Sequence, residues 1–159
     1  MKFLLVSPFT NASGSSIRFW NIAQALHDRG HRVVYADRKA KFSRWLYSCE
    51  GIAYYGCPSS GIFAFDIIIS FVFYSFLFLR HLDCAVFYAL KPAPNNCIVA
   101  VVARLLGKKI FLDVDDLDYA YPGGDLSRSV FRFFFKLFPP MFHLVTFHTP
   151  ALHDFPNVT

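Results

Sequence analysis

The stretch LDVDDLD crowds Asp113, Asp115, Asp116 and Asp118 together. Carboxylates this close repel one another unless something uses or neutralises them. Two chemistries suit the pattern: a general base that takes the proton of a hydroxyl, and a clamp for a divalent cation. A solvated acidic loop is the reading that needs no ligand. A second stretch, NASGSS, places Gly14 beside Ser15 and Ser16, with Arg18 one turn further on. Glycine would let a phosphate or a sugar approach the backbone, and the hydroxyls and guanidinium would donate hydrogen bonds to it. A tight turn capped by serine uses the same residues without a ligand.

Spacing removes several other chemistries. There is no G-x-G-x-x-G, which disfavours a dinucleotide site. A D-x-D nucleophile pair of the phosphatase type wants Thr or Val where Leu117 stands, and normally lies on the first strand. The histidines at 143, 148 and 153 lack the spacing of metal ligands and read as structural. Cys49, Cys57, Cys84 and Cys97 form no C-x-x-C pair, so they read as reduced thiols, and no metal site is assigned. Arg128, Arg132 and Lys136 recur every four residues, with Phe131, Phe134, Phe135 and Phe138 on the other side. A cationic stripe beside an aromatic face suits a helix lying in a membrane interface, with Arg128, Arg132, Lys136, Phe131 and Phe135 as its contacts. An ordinary crossover helix is the competing reading.

The elements that must position these residues alternate. KFLLVS (2–7) is a continuous apolar run, as in a strand buried on both faces. Phe19, Ile22, Ala23 and Leu26 then mark one face of a helix that Gly30 closes, and HRVVYA (31–36) is the next strand. Residues 37–61 carry no regular pattern and read as a mobile excursion. CAVFYA (84–89), KKIFLDV (108–114) and HLVTFHT (143–149) read as strands. CIVAVVARLLG (97–107) and LSRSVFRFFFKLF (126–138) read as helices, and Thr149–Pro150 reads as the start of another. This order predicts an α/β fold: one doubly wound, mostly parallel, Rossmann-like lobe. In such sheets the carboxyl ends of the strands form the ligand crevice, where both the Gly14 loop and the aspartates fall.

The segment from Ile62 to Leu79 is eighteen residues long, with Asp66 as its only charge. It admits three readings: a transmembrane helix, a helix lying on a membrane, and a buried strand at DIIIS followed by a helix. Composition points the same way. With 55% hydrophobic residues, only 17% charged and 20 phenylalanines, the chain is greasier than one soluble core needs. Some of these side chains are expected to face lipid or a partner. The net charge of +5 fits an anionic membrane surface better than nucleic acid, since RKAKFSR (38–44) is the one basic cluster and no nucleic-acid reading module surrounds it. The opening MKFLLVSP is too short an apolar run for a signal peptide.

Taken together, residues 1–37 with R-x-x-N-x-A-x-A-L-x-x-R-G-H-x-V, the turn FYALKPAPNN, the strand end ARLLGKKIFLDVDDLD and the stretch VTFHTPALHDFPNVT resemble the N-terminal domain of family 4 glycosyltransferases, of the GT-B fold. The match covers essentially all 159 residues. It implies a domain spanning 1–159 that binds a lipid or saccharide acceptor and touches the sugar of a nucleotide-sugar donor. No cofactor is implied. Gly14, Ser15, Ser16, Arg18 and Lys91 are the implied substrate contacts, with Asp115 and Asp116 catalytic. The C-terminal domain of that family, which holds most of the nucleotide, has no match here. The expectation is therefore a half-enzyme, inactive alone and partnered by a separate C-terminal half. It would work in the cytoplasm, peripheral at the inner face of the membrane. A non-catalytic membrane-surface interaction module is the alternative. A small enzyme acting alone on a phosphorylated metabolite is a third reading, disfavoured by the missing glycine fingerprint.

Overall fold

The computed structural model describes residues 1–10, 13–38, 51–115 and 125–147. Six strands form one parallel sheet: β1 (Lys2–Thr10), β2 (Arg32–Arg38), β3 (Ile52–Cys57), β4 (Val86–Leu90), β5 (Lys109–Val114) and β6 (Leu144–Phe147). Their spatial order is β3-β2-β1-β4-β5-β6. The chain thus builds outward from β1 on one side, returns, and continues from β4 on the other. The doubly wound arrangement expected from sequence is what forms, and every pairing is parallel.

Four helices cover the sheet: α1 (Gly14–Asp28), α2 (Phe63–Arg80), α3 (Pro94–Leu105) and α4 (Asp125–Leu137). On one face α1 is the covering helix among the described residues, burying Phe19, Trp20 and Ala23 against Leu5, Tyr35 and Tyr88. On the other, α2, α3 and α4 lie over Leu4, Val6, Phe87, Ile110 and Leu112. The central strands are buried on both faces, which is why their sequences read as unbroken apolar runs. Ser13 caps α1 by accepting the Ser16 N–H at 3.1 Å, and Gly30, at φ +81°, turns the chain out of the helix as its position predicted.

Two expectations fail. Part of the irregular excursion assigned to 37–61 is regular: β2 continues to Arg38, and Ile52–Cys57 is an edge strand paired with β2. Its signal was IAYY between Gly51 and Pro58, masked by an exposed Ala53 and a half-buried Gly56. Nor is DIIIS a strand, because α2 runs unbroken through it. The β-branched run gives way to a helical stripe, Asp66, Ser70, Tyr74, Leu77 and Phe78, that sits on the sheet. At 18 residues the helix is about 27 Å long, and among the described residues no helix is long and apolar enough to cross a membrane.

Candidate functional site

The strand order reverses between β1 and β4, and beyond their carboxyl ends lies the crevice that such sheets use for ligands. Six of the residues singled out from sequence, Gly14, Ser15, Arg18, Lys91, Asp113 and Asp115, meet at its rim. Gly14 opens α1. A side chain there would meet nothing within 4 Å, so internal packing does not demand glycine. Half-buried Ser15 follows, and Arg18, one turn on, reaches across to Asp113 at the end of β5. Asp113 is held a second time, by the Thr146 hydroxyl of β6 at 2.6 Å. That double clamp joins α1, β5 and β6 and neutralises a carboxylate that is 1% exposed.

Lys91 stands where β4 ends, in the left-handed region at φ +59°, which costs a residue with a side chain on the order of 1 kcal/mol. Its amide donates to the Asp113 carbonyl at 2.7 Å. The conformation turns the ammonium to within 3.0 Å of the buried Asp115 and over the Phe9 ring at 4.7 Å. The contact with Asp115 is an ion pair held by charge rather than an aligned hydrogen bond. The Asn96 side chain fastens this turn by donating to the carbonyls of Leu90 and Lys91 at 2.7 and 3.1 Å.

Other expected site residues fall elsewhere. Ser16 is fully buried: its hydroxyl bonds Ser7 at 2.8 Å and its carbonyl accepts the Tyr35 hydroxyl at 3.0 Å. It anchors α1 to β1 and offers nothing to a ligand. Phe135 is also inward, 6% exposed in the core with Phe138, which overturns its assignment as a membrane contact. Among the described side chains of α4, Phe133 is the exposed aromatic, beside exposed Arg132 and Lys136. Asp116 and Asp118, the side chains of Arg128 and Phe131, Cys49, most of the 38–44 basic cluster, and the element starting at Thr149 lie outside the described residues. Cys57, Cys84 and Cys97 are buried free thiols, as expected; burial pushes the Cys57 thiol up to about 12, out of reach of ordinary thiolate chemistry.

Sequence reasoning missed a cluster beside the crevice. Pro8, Phe9, Arg38, Asp66, Ser70 and Asn95 line a cavity of about 60 Å³ between the first turns of α2 and α3. That is room for a few water-sized groups, not for a nucleotide. Asp66 is its hub. It takes Arg38 as counter-ion, the Ser59 hydroxyl at 3.0 Å, and the Ser60 amide and hydroxyl at 2.6 and 2.9 Å. Burial alone would raise its pKa, but these donors outweigh that and hold it below the usual carboxylate range. Asn95 donates to Ser70 at 2.7 Å, while its carbonyl oxygen and Arg38 Nε are buried without a partner among the described residues. The signal available in sequence was a lone Asp in an apolar helix, which must be paired if buried.

The fold and the crevice define a class, a Rossmann-like α/β lobe of GT-B type with its polar edge at the switch point. No family model and no curated protein matches the chain. Solved structures do. One is MurG of Acinetobacter baumannii, with TM-score 0.55 and 14% identity over 99% of this chain and 42% of that one. Another is UGT2 of Phytolacca americana, solved with UDP-2-fluoro-glucose and pterostilbene, with TM-score 0.55 and 10% identity over 75% of this chain and 32% of that one. A third is the UDP-GlcNAc 2-epimerase of Methanocaldococcus jannaschii, with TM-score 0.51 and 13% identity over 84% of this chain and 37% of that one. At such identities the likeness establishes the fold. The chain spans between 32% and 42% of the length of these three structures.

Proposed function

We propose that this lobe is the acceptor-binding half of a glycosyltransferase of the family 4 type, taking a sugar from a nucleotide-sugar donor. The observation that carries the reading is the rim of the crevice, where Gly14, Ser15, Arg18, Lys91 and Asp115 converge from three different elements. An open glycine at a helix N-terminus suits the close approach of a sugar or phosphate, and the α1 dipole favours its negative charge. Lys91 and Arg18 supply positive charge on the same edge. Asp115, and Asp116 beside it, would accept the proton of the acceptor hydroxyl. That oxygen bonds to the anomeric carbon, and the sugar's bond to the diphosphate breaks.

Stabilising the leaving diphosphate needs donors on both sides of it, so the reading calls for a second domain facing this edge. The acceptor is a lipid or a saccharide, and the site of action is the cytoplasmic face of a membrane. The test is complementation. A C-terminal GT-B domain, supplied in trans or fused, should raise sugar release from a panel of nucleotide sugars well above the level of either half. Background turnover in a stable complex of the two would overturn the proposal. The internal neutralisation of Arg18 by Asp113 and of Lys91 by Asp115 favours one second reading, a non-catalytic module. It predicts membrane binding that is unchanged by Asp115→Ala, with no sugar bound at any concentration tested.

A further inference from the structure

The inference begins with α2, which is built inside out. Its buried stripe carries polar groups. Asp66 is 3% exposed, Ser70 is 0% and donates to the Asp66 carbonyl, and Tyr74 is 0% and donates to the Ser7 carbonyl at 2.6 Å. Its solvent-facing stripe is wholly apolar: Phe65, Ile68, Val72, Phe76 and Leu79, each about 60% exposed. Spacings of three, four, four and three keep those five on one ridge. The adjacent α3 adds Ile98, Val102 and Leu105, spaced four and three and likewise exposed. Together they make a surface on the order of several hundred Å², more than scattered surface apolar residues account for.

We propose that this α2–α3 ridge is the part of the lobe that docks on an anionic lipid surface. The inference rests on the membrane attachment in the reading above and places its contact on α2 and α3 rather than on α4, α2 being the segment whose sequence also admitted a helix lying on a membrane. Charge argues for lipid over protein. Exposed Arg80, Arg104 and Lys136 occupy the last turns of α2, α3 and α4, and all three helices run antiparallel to the strands, so these cations border the ridge along the amino edge of the sheet. Helix dipoles favour cations there too, but dipoles do not explain an apolar outer face. Asp83, an acid at the same edge, is already taken by Lys2 at 2.6 Å. A second copy would set the same cations against one another across a two-fold contact of the ridge, whereas anionic headgroups complement them directly. A second catalytic domain would face the carboxyl edge, while the ridge lies on the outer flank of the helices.

The test is co-sedimentation of the full chain with phosphatidylcholine vesicles, with and without phosphatidylglycerol. The chain should bind the anionic vesicles, and binding should weaken with salt. The triple variant Ile68→Ser/Val72→Ser/Phe76→Ser should lose about tenfold or more in partitioning. Its exposed positions leave the core intact, to be checked by urea unfolding. In a separate variant, Val72→Trp fluorescence should shift to the blue on binding. If the triple variant binds like the parent while Arg132→Gln/Lys136→Gln releases, α4 is the contact; the ridge proposal falls and membrane attachment survives. If no variant and no parent binds vesicles, both fall, though the complementation assay for sugar transfer is untouched. A triple variant that splits a dimer without changing vesicle binding assigns the ridge to a second copy and overturns the proposal.

Discussion

Helices α1 and α2 lie on opposite faces of the same sheet and solve opposite problems. Helix α1 buries Phe19, Trp20 and Ala23 and turns Asn21, Asp28 and its open N-terminus to solvent, as a helix in water should. Helix α2 buries Asp66, Ser70 and Tyr74 and shows phenylalanine, isoleucine, valine and leucine. Removing one apolar side chain from water stabilises by roughly 1.5–3 kcal/mol, so α2 forgoes several such gains in an aqueous setting. What holds it on the sheet is a polar network together with Tyr74, Leu77 and Phe78 in the core and Ile69, Phe71 and Phe73 packed against it. The lesson is that apolarity alone does not tell which stripe of a helix faces the core.

The two faces also hold contrasting carboxyls, Asp66 on helix α2 and Asp37 on strand β2. On the α2 side Asp66 is satisfied by Arg38, Ser59 and Ser60. On the α1 side Asp37, fully buried, has the Tyr54 hydroxyl at 2.7 Å on one oxygen and, among the described residues, no partner on the other. Burial pushes Asp37 up to about 7, with the Tyr54 bond opposing only part of the shift.

The contrast can be broken most directly at Asp66. Asp66→Ala would strand Arg38 and cost about 2–4 kcal/mol in urea unfolding, below the range for a fully buried pair because Arg38 is 20% exposed. A loss under 1 kcal/mol would mean that α2 is held by its apolar contacts after all. Asp37 tests the other face by pH. Its folded pKa lies above its unfolded one, so the folded state binds the proton more tightly, and this group lowers stability as pH rises from about 4 to about 7. Asp37→Asn should match the parent near pH 4 and exceed it near pH 7, the difference growing by about 1.4 kcal/mol per pH unit across that window. Parallel stability profiles would refute the buried, poorly partnered carboxyl.

Smaller effects sharpen the comparison. Ser13→Ala removes the cap of α1 and should cost about 1 kcal/mol, read in thermal or urea unfolding. Ile68→Ser, on the outward ridge of α2, should change stability in water by no more than about 0.5 kcal/mol. A large loss there would show the ridge covered in solution. Gly14→Ala should be near neutral for folding, since its side chain would enter open space, yet should weaken sugar binding once the complementing domain is present.

Much of this molecule was legible in the amino-acid order because local patterns and the global fold agree. Apolar runs such as FLLV and VVYA require strands covered on both faces, and the Gly30 and Gly107 stops require a left-handed residue that both supply. The Gly14 loop and the aspartates fall at carboxyl ends of strands by the same alternation, so the edge carrying the candidate site followed from sequence. Strand β3 did not follow, and the run through DIIIS left a continuous helix and a strand followed by a helix both open, because an edge strand with little burial and an apolar run with one aspartate in its first turn carry weak periodicity. The destinations of Ser16, Phe135, Lys91 and Asp66 were decided by tertiary contact alone. Whether a hydroxyl, ring or charge points to ligand, core or counter-ion depends on partners distant in the chain, as when Arg38 meets Asp66 and Lys91 meets Asp115. Desolvation and pairing energies act on those three-dimensional neighbours, and no spacing within one segment encodes them.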